Sequence, residues 1–394
     1  MKKKVSLKTL IALVLIASAL TCVLTCVVIM RYLGINVSLI DDVRTYAEIR
    51  TGIDRYYIGE YDEEALKNAA LSAAVSALDD RWSYYMTAET YASYLNASNN
   101  QYAGIGVTVQ KDEVSGGLEI MTVVQDGPAH KAGLLIGDII IEVDGTDITE
   151  LTTTEGSSLI KKPEGESVSL VVLKPDGKTE TVTFEVQVIF SDPVTYEMQD
   201  GDVGLIKLKN FEFGSADSFI SAVDRLIADG AKSLILDVRN NPGGKVTELT
   251  KMLDYLLPEG DIFVSVNKDG QERVTQSDEI CVELPMAVLM NGNSYSAAEF
   301  FAAALGEYGW AETVGQNTTG KGRSQITVQL KDGGALHISS AEYVTPNRVS
   351  LYDEGGLTPD HLIEVDDETA ARIYFGMTDK TEDLQLQKAI EILK

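Results

Sequence analysis

The sequence predicts an α/β core that carries a β-rich module and follows a helical region and one membrane-spanning helix. Three observations predict it. Residues 9–30 are uncharged and dense in Leu, Ile, Val and Ala, a run long enough to cross a hydrocarbon core of about 30 Å as one helix. Residues 102–189 break into short apolar strands punctuated by Gly, Asp and Pro, the pattern of a compact β-rich unit. After Asp192 strands alternate with helical stretches, which indicates an α/β core.

Taken in order, residues 1–8 carry Lys2, Lys3, Lys4 and Lys8, and this basic flank places them in the cytoplasm and the remainder outside it. Residues 9–30 then read as a single-pass anchor in the cell membrane. A cleaved signal has a shorter apolar core and a small-residue cleavage site, and neither is evident before Arg31. A Thr precedes both Cys22 and Cys26, which disfavours either as a lipidated residue. Residues 31–100 form a helical region, with Val43, Tyr46, Ile49 and Ile53 on one stripe and Ala65, Leu66, Ala69, Ala73 and Leu78 on a second. Residues 101–190 form the β-rich module, with strands at 118–124, 139–143 and 168–173. Residues 191–394 form the core, with strands at 203–208, 233–238 and 286–290 and helices at 215–228 and 297–305.

Sixty acidic against 33 basic residues give a net charge of −27, so the body repels phosphate backbones and nucleic acid is not an expected partner. Three cysteines, two of them inside the apolar run, do not make a disulfide framework. The three histidines stand apart: His130 in a Gly-Pro-Ala-His loop, His337 in an alternating strand and His361 after a Pro-Asp turn. None suggests an ordinary hydrolytic triad. No HExxH or Cys-x-x-Cys occurs and no GxGxxG opens a helix, so neither a metal nor a nucleotide cofactor is expected.

A serine, a lysine and a pair of glycines remain, each on a loop at a strand end. The apolar run 286–290 leads into Asn291-Gly292-Asn293-Ser294-Tyr295-Ser296, and a helical stretch begins at Ala297. Ser296 therefore lies at a helix N-terminus, as a cap or as a nucleophile beside free N–H groups. Lys321 stands between Gly320 and Gly322, with Gln325 four residues on. The flanking glycines let the backbone approach another loop, or mark a plain turn. Residues 234–239 lead to Asn240-Asn241-Pro242-Gly243-Gly244, a tight turn or a source of unhindered N–H donors. Together the three loops supply nucleophile, base and oxyanion donors.

These segments resemble the C-terminal processing, or tail-specific, serine proteases. The resemblance rests on Asp237-Val238-Arg239-Asn240-Asn241-Pro242-Gly243-Gly244, on Asn291 to Phe300, and on Gly320-Lys321-Gly322-Arg323-Ser324-Gln325. It extends to Asp80-Arg81-Trp82-Ser83-Tyr84-Tyr85, Tyr343-Val344-Thr345-Pro346, Gly356-Leu357-Thr358-Pro359-Asp360 and Glu382-Asp383-Leu384-Gln385-Leu386. Two departures stand out: Tyr295 and Ala298 replace small and Ser residues of the family's Ser-Ala-Ser-Ala-Ser-Glu, and Arg81 replaces a Pro, a change expected to affect a turn rather than the chemistry. The resemblance implies an α/β protease core with an inserted PDZ domain and a serine/lysine pair. Ser296 would attack, neutral Lys321 would take its proton, and Gln325 would orient Lys321 by a hydrogen bond. The oxyanion would sit between the N–H of Ala297 and that of Gly243 or Gly244. Tyr102-Ala103-Gly104-Ile105-Gly106-Val107 is similar to the PDZ loop that holds a peptide carboxylate, with Gly104, Ile105, Gly106 and Val107 as the binding residues. Lys161, within residues 159–165, takes the place of an Arg that links peptide capture to the protease in the family.

The reading is a membrane-anchored serine endopeptidase that cuts protein substrates with free C-termini near their ends, with no cofactor. The resemblance also implies homodimers built from the N-terminal helices and the C-terminal segment. One alternative is a catalytically inactive PDZ scaffold, against which the joint presence of Ser296, Lys321 and Gln325 argues. Another is an acyl-transfer enzyme on a thioester, for which no carrier site is visible.

Overall fold

The computed structural model describes residues 6–32, 40–374 and 380–394. Part of the basic N-terminal tail, Lys2, Lys3 and Lys4, lies outside the described residues. The chain divides into two units, residues 1–70 and 71–394. The first holds the helix Leu7–Tyr32, whose segment Leu7–Val28 is long and apolar enough to cross a membrane and is wholly unburied. It also holds Ile40–Tyr56, whose apolar stripe of Val43, Tyr46 and Ile49 is exposed. The helix Glu63–Ser76 straddles the division.

In the second unit the region expected to be helical to residue 100 contains a strand, Tyr84–Met86, which pairs antiparallel with Ala335–Val344. A local helical stripe does not register that partner, which lies some 250 residues away in sequence. The helix Ala88–Ser98 follows, capped by Thr87, whose hydroxyl accepts from the Thr90 amide.

The β-rich module opens and closes on one antiparallel pair, Gln101–Gly104 with Gln187–Phe190. Its sheet runs Val107–Lys111, Leu118–Val123, Ile139–Val143, Ser167–Leu173, Thr179–Glu185. Alternate residues such as Val168, Leu170 and Val172 point into a core with Ile105, Ile120 and Ile140, as the period of a half-buried strand requires. Val107–Lys111 ends this order, so one of its edges is unpaired within the sheet.

The α/β core is a sheet in the order Val194–Gln199, Val203–Leu208, Ser233–Asp237, Met286–Met290, Ala311–Gly315, His361–Leu362. All pairs after the first are parallel. Every residue of Ser233–Asp237 and Met286–Met290 is buried, because helices cover both faces of a parallel sheet. Leu234, Leu236, Val288 and Met290 pack on the helices Ser215–Ala228, Val246–Leu256 and Ala297–Glu307. Ile235, Ala287 and Leu289 face the other way, onto Leu386, Ala389 and Ile390 of the helix Leu384–Ile392. The buried Arg239 guanidinium donates to both Asp237 and Asp383, at 2.7 and 2.9 Å to one nitrogen. That clamp ties the last helix to the strand end from which residues 240–244 emerge.

A second sheet places Ala335–Val344 between Tyr84–Met86 and Gly260–Asn267, and Arg323–Gln329 also pairs with it. The loop before Arg323–Gln329 is thereby brought to the carboxyl ends of the parallel strands, where open α/β sheets form their crevices.

Candidate active site

Ser296 ends the turn after Met286–Met290 and precedes the helix Ala297–Glu307, with φ 58° and ψ −123°. A positive φ on a non-glycine residue is strained, and here neighbouring contacts hold it. Buried Ser294 donates to the Val238 carbonyl at 2.8 Å and accepts from the Asn291 amide at 3.0 Å. The Tyr295 amide reaches the Asn241 carbonyl at 3.1 Å. Ser294 is thus a latch between two strand-end loops, and Ser296 is the serine of this turn that lines the cavity.

The largest organiser is a residue that sequence reasoning passed over. Glu299 has no exposed surface. One of its oxygens accepts from the amides of Ser296 at 3.0 Å and Lys321 at 2.6 Å; the other accepts from Thr318 Oγ1 and the Gly320 amide, both at 2.8 Å. Burial pushes its carboxyl up, against the donors that favour the ionised form. A single carboxylate therefore fastens the serine turn to the lysine loop.

The glycines around Lys321 are required by close approach. A Cβ on Gly320 would stand 2.8 Å from Gly355 and Gly356 backbone, and one on Gly322 would stand 2.7 Å from Tyr352 Cβ. With its neighbours fixed, Lys321 turns inward and its Nζ lies 4.3 Å from the Trp82 ring centroid and 5.8 Å from that of Tyr295. Burial lowers its pKa to about 8, opposed by the charges of Glu299, Asp80 and Glu212 and aided by Arg81. Arg81 stacks on Trp82 at 4.2 Å. Its replacement of Pro therefore reaches the lysine electrostatically, a correction to the expectation that it concerns a turn alone.

Ser296, Lys321, Gln325, Ala297 and Gly244 line one cavity of about 680 Å³. Ser296 and Lys321 share it without a hydrogen bond between their side chains; both are anchored through backbone amides to Glu299. The Gln325 amide nitrogen donates to the Arg323 carbonyl at 2.9 Å and Ser339 Oγ at 3.1 Å, so its bonds run to those groups and not to Lys321. The two glycines are not equivalent. The Gly243 N–H is taken by Asn241 Oδ1 at 2.8 Å, whereas Gly244 reaches the cavity. A Cβ on Gly243 would lie 2.8 Å from the Ala297 nitrogen, and one on Gly244 would lie 2.4 Å from the Phe211 carbonyl carbon, so neither position accepts a side chain without moving the turn.

His337 also lines the cavity, which its alternating strand did not signal. It stacks on Tyr84 at 4.8 Å and pairs with Thr327 Oγ1 at 2.8 Å, and burial together with the Lys321 charge lowers its pKa. Among the described residues no three His, Cys, Asp or Glu side chains gather as a metal centre.

In the module, Gly106 has φ 82°, and the Ile105 and Gly106 carbonyls accept from Ala129 and Val124 at 2.9 and 2.8 Å. Gly104 closes its strand, and Val107 begins the open-edged one. Lys161 ends the helix Thr153–Ile160 with an exposed side chain. It is Lys162 that is tied down, to Asp144 at 2.6 Å and to the Ser167 carbonyl at 2.7 Å, both within the module.

A family model described as peptidase family S41 matches residues 202–363, and a PDZ domain model matches residues 119–174. A carboxyl-terminal-processing protease of Synechocystis sp. (strain ATCC 27184 / PCC 6803 / Kazusa) is 30% identical over 345 residues, 85% of this chain and 79% of the relative. The carboxy-terminal processing protease CtpA of Bacillus subtilis (strain 168) is 29% identical, over 86% of this chain and 71% of that one. A crystal structure of a protein described as a putative S41 protease from Bacteroides fragilis NCTC 9343 has a similar fold, with TM-score 0.54 and 19% identity, covering 82% of this chain and 93% of the other.

Proposed function

The chain belongs to peptidase family S41, the carboxyl-terminal-processing serine proteases with a PDZ domain, and from that premise we propose that Ser296 and Lys321 are its catalytic pair. Neutral Lys321 takes the Ser296 proton as the serine oxygen attacks the substrate carbonyl. The oxyanion is received by the N–H groups of Ala297 and Gly244, at a helix N-terminus where the dipole favours negative charge. Gln325 offers its side-chain oxygen to orient the amine. The observation that carries this reading is the Glu299 carboxylate, which fastens both loops around one cavity in which the lysine pKa falls to about 8.

Glu299→Gln tests that hub. The amide keeps the volume but presents an NH₂ where two donors need an acceptor, so the thermal midpoint is expected to fall by several degrees, at about 1.5–3 kcal/mol for a lost charge-assisted bond. The Glu299 charge also holds the lysine pKa up. Whatever activity remains should therefore show its acid limb displaced below pH 8 in a pH–rate profile.

The PDZ loop, with the open edge of Val107–Lys111 beside it, captures the free C-terminus of a protein substrate by strand addition, and cleavage follows near that end. The apolar helix Leu7–Tyr32 anchors the enzyme with its protease domain outside the cytoplasm, and two protomers pair. For a link between capture and cleavage at Lys161, a peptide with a free apolar C-terminus is expected to stimulate cleavage of a second substrate while its amidated form does not. Lys161→Ala should blunt that stimulation at an unchanged basal rate. Equal stimulation by both peptide forms would reduce the module to a tether. Mass spectrometry of fragments from an unfolded protein substrate tests the function itself: cuts should cluster near the C-terminus and vanish in Ser296→Ala.

A further inference from the structure

Tyr343 is 3% exposed, yet its hydroxyl is buried without a hydrogen-bond partner. A buried polar group left unpaired costs about 1–3 kcal/mol, and Phe would fill the same space without that cost. The ring is well fixed. It packs on Phe263 and Phe300 with centroids 6.0 and 5.7 Å away, and its amide donates to the Gly322 carbonyl at 3.0 Å. Tyr343 thus bridges the helix that follows Ser296 and the loop that carries Lys321, and it lines the cavity those two residues share. Burial pushes its phenol well above the ordinary range, the Glu299 charge adds to this, and Ser296 opposes it. The groups that act on the orphaned hydroxyl are therefore the proposed nucleophile and the carboxylate beneath it.

Resting on the assignment of Ser296 and Lys321, we propose that Tyr343 is a positioning residue for the nucleophile: its hydroxyl turns to Ser296 Oγ and holds that side chain in the rotamer that faces the substrate. A serine has three staggered wells, and a hydrogen bond from a ring that does not move selects one. While Lys321 is protonated the two hydroxyls bond each other. Once Lys321 is neutral, Ser296 directs its proton to the amine and accepts a hydrogen bond from Tyr343. The tyrosine stays protonated throughout and transfers nothing.

Tyr343→Phe in the full chain tests this through three readouts: the thermal midpoint, the kcat and KM for a peptide substrate, and the rate of fluorophosphonate labelling at Ser296. Deleting a buried hydroxyl whose single bond is to the cavity-lining Ser296, and which is otherwise unpaired, should leave the midpoint close to that of the parent or raise it. The kcat and the labelling rate should fall about tenfold, with KM and the position of the pH limb unmoved. Rates within twofold of the parent would overturn the proposal. So would a midpoint that falls together with the rates, or a variant that does not fold, since either makes the hydroxyl structural. A parent enzyme that is not labelled at Ser296 would instead overturn the catalytic assignment on which the proposal rests.

Discussion

Ser296→Ala is expected to abolish proteolysis, lowering kcat by about 10⁴-fold or more to the level that binding and oxyanion donors alone sustain, while the fold and peptide capture survive. The substitution removes one oxygen from a residue whose structural bond is made by its backbone amide to Glu299, so the turn keeps its anchor. Circular dichroism and peptide binding should match the parent, and cleavage of an unfolded substrate should be undetectable. Ser294→Ala makes the contrast. It deletes the buried bond to the Val238 carbonyl and the acceptor of the Asn291 amide, so its cost of about 1 kcal/mol or more falls on stability, with most of the activity retained.

Lys321 carries the second large effect. A free lysine with a pKa of about 10.4 would be neutral in roughly one molecule in a thousand near pH 7.4. At a pKa of about 8, roughly a fifth are neutral at that pH. Activity should therefore rise with pH through about 8 and level off above it. Lys321→Arg and Lys321→Ala should both lose roughly 10²–10⁴-fold in kcat, because guanidinium keeps its charge and alanine has no base. The sign for stability follows from the same displacement. The folded pKa lies below the unfolded value, so the unfolded chain binds more protons between about pH 8 and 10.5, and stability rises with pH across that window. Below it both states are charged and burial of the ammonium is fully felt. Lys321→Met, which fills the space with an uncharged chain, should accordingly be more stable than the parent at neutral pH, and thermal unfolding reads it.

The elements that carry the chemistry were legible where the signal is local. Two glycines flanking Lys321 announce a backbone that another loop must touch, and the 351–356 segment touches it. An apolar run ending in Asn-Gly-Asn-Ser-Tyr-Ser before an Ala-rich stretch announces a strand, a turn and a helix. What escaped depends on partners distant in sequence. Glu299 reads as a polar residue near a helix start, and its other donors stand 19 to 22 residues away. Which of Gly243 and Gly244 keeps a free N–H rests on the orientation of the Asn241 side chain. A local helical pattern does not reveal the strand Tyr84–Met86, because its pairing partner is the far Ala335–Val344. Arg81 bears on the lysine because both cations lie against the Trp82 ring, a contact that no local pattern signals.

The proposed mechanism places in one cavity a serine nucleophile whose reactivity is set by a neutral lysine. Fluorophosphonate labelling followed by peptide mapping, repeated across pH for the parent and Lys321→Arg, tests it most directly. A single label on Ser296 is expected, with a labelling rate that climbs through about pH 8 in the parent and little labelling of Lys321→Arg at any pH. A label on another serine, or a Lys321→Arg enzyme that labels as fast as the parent, would contradict it.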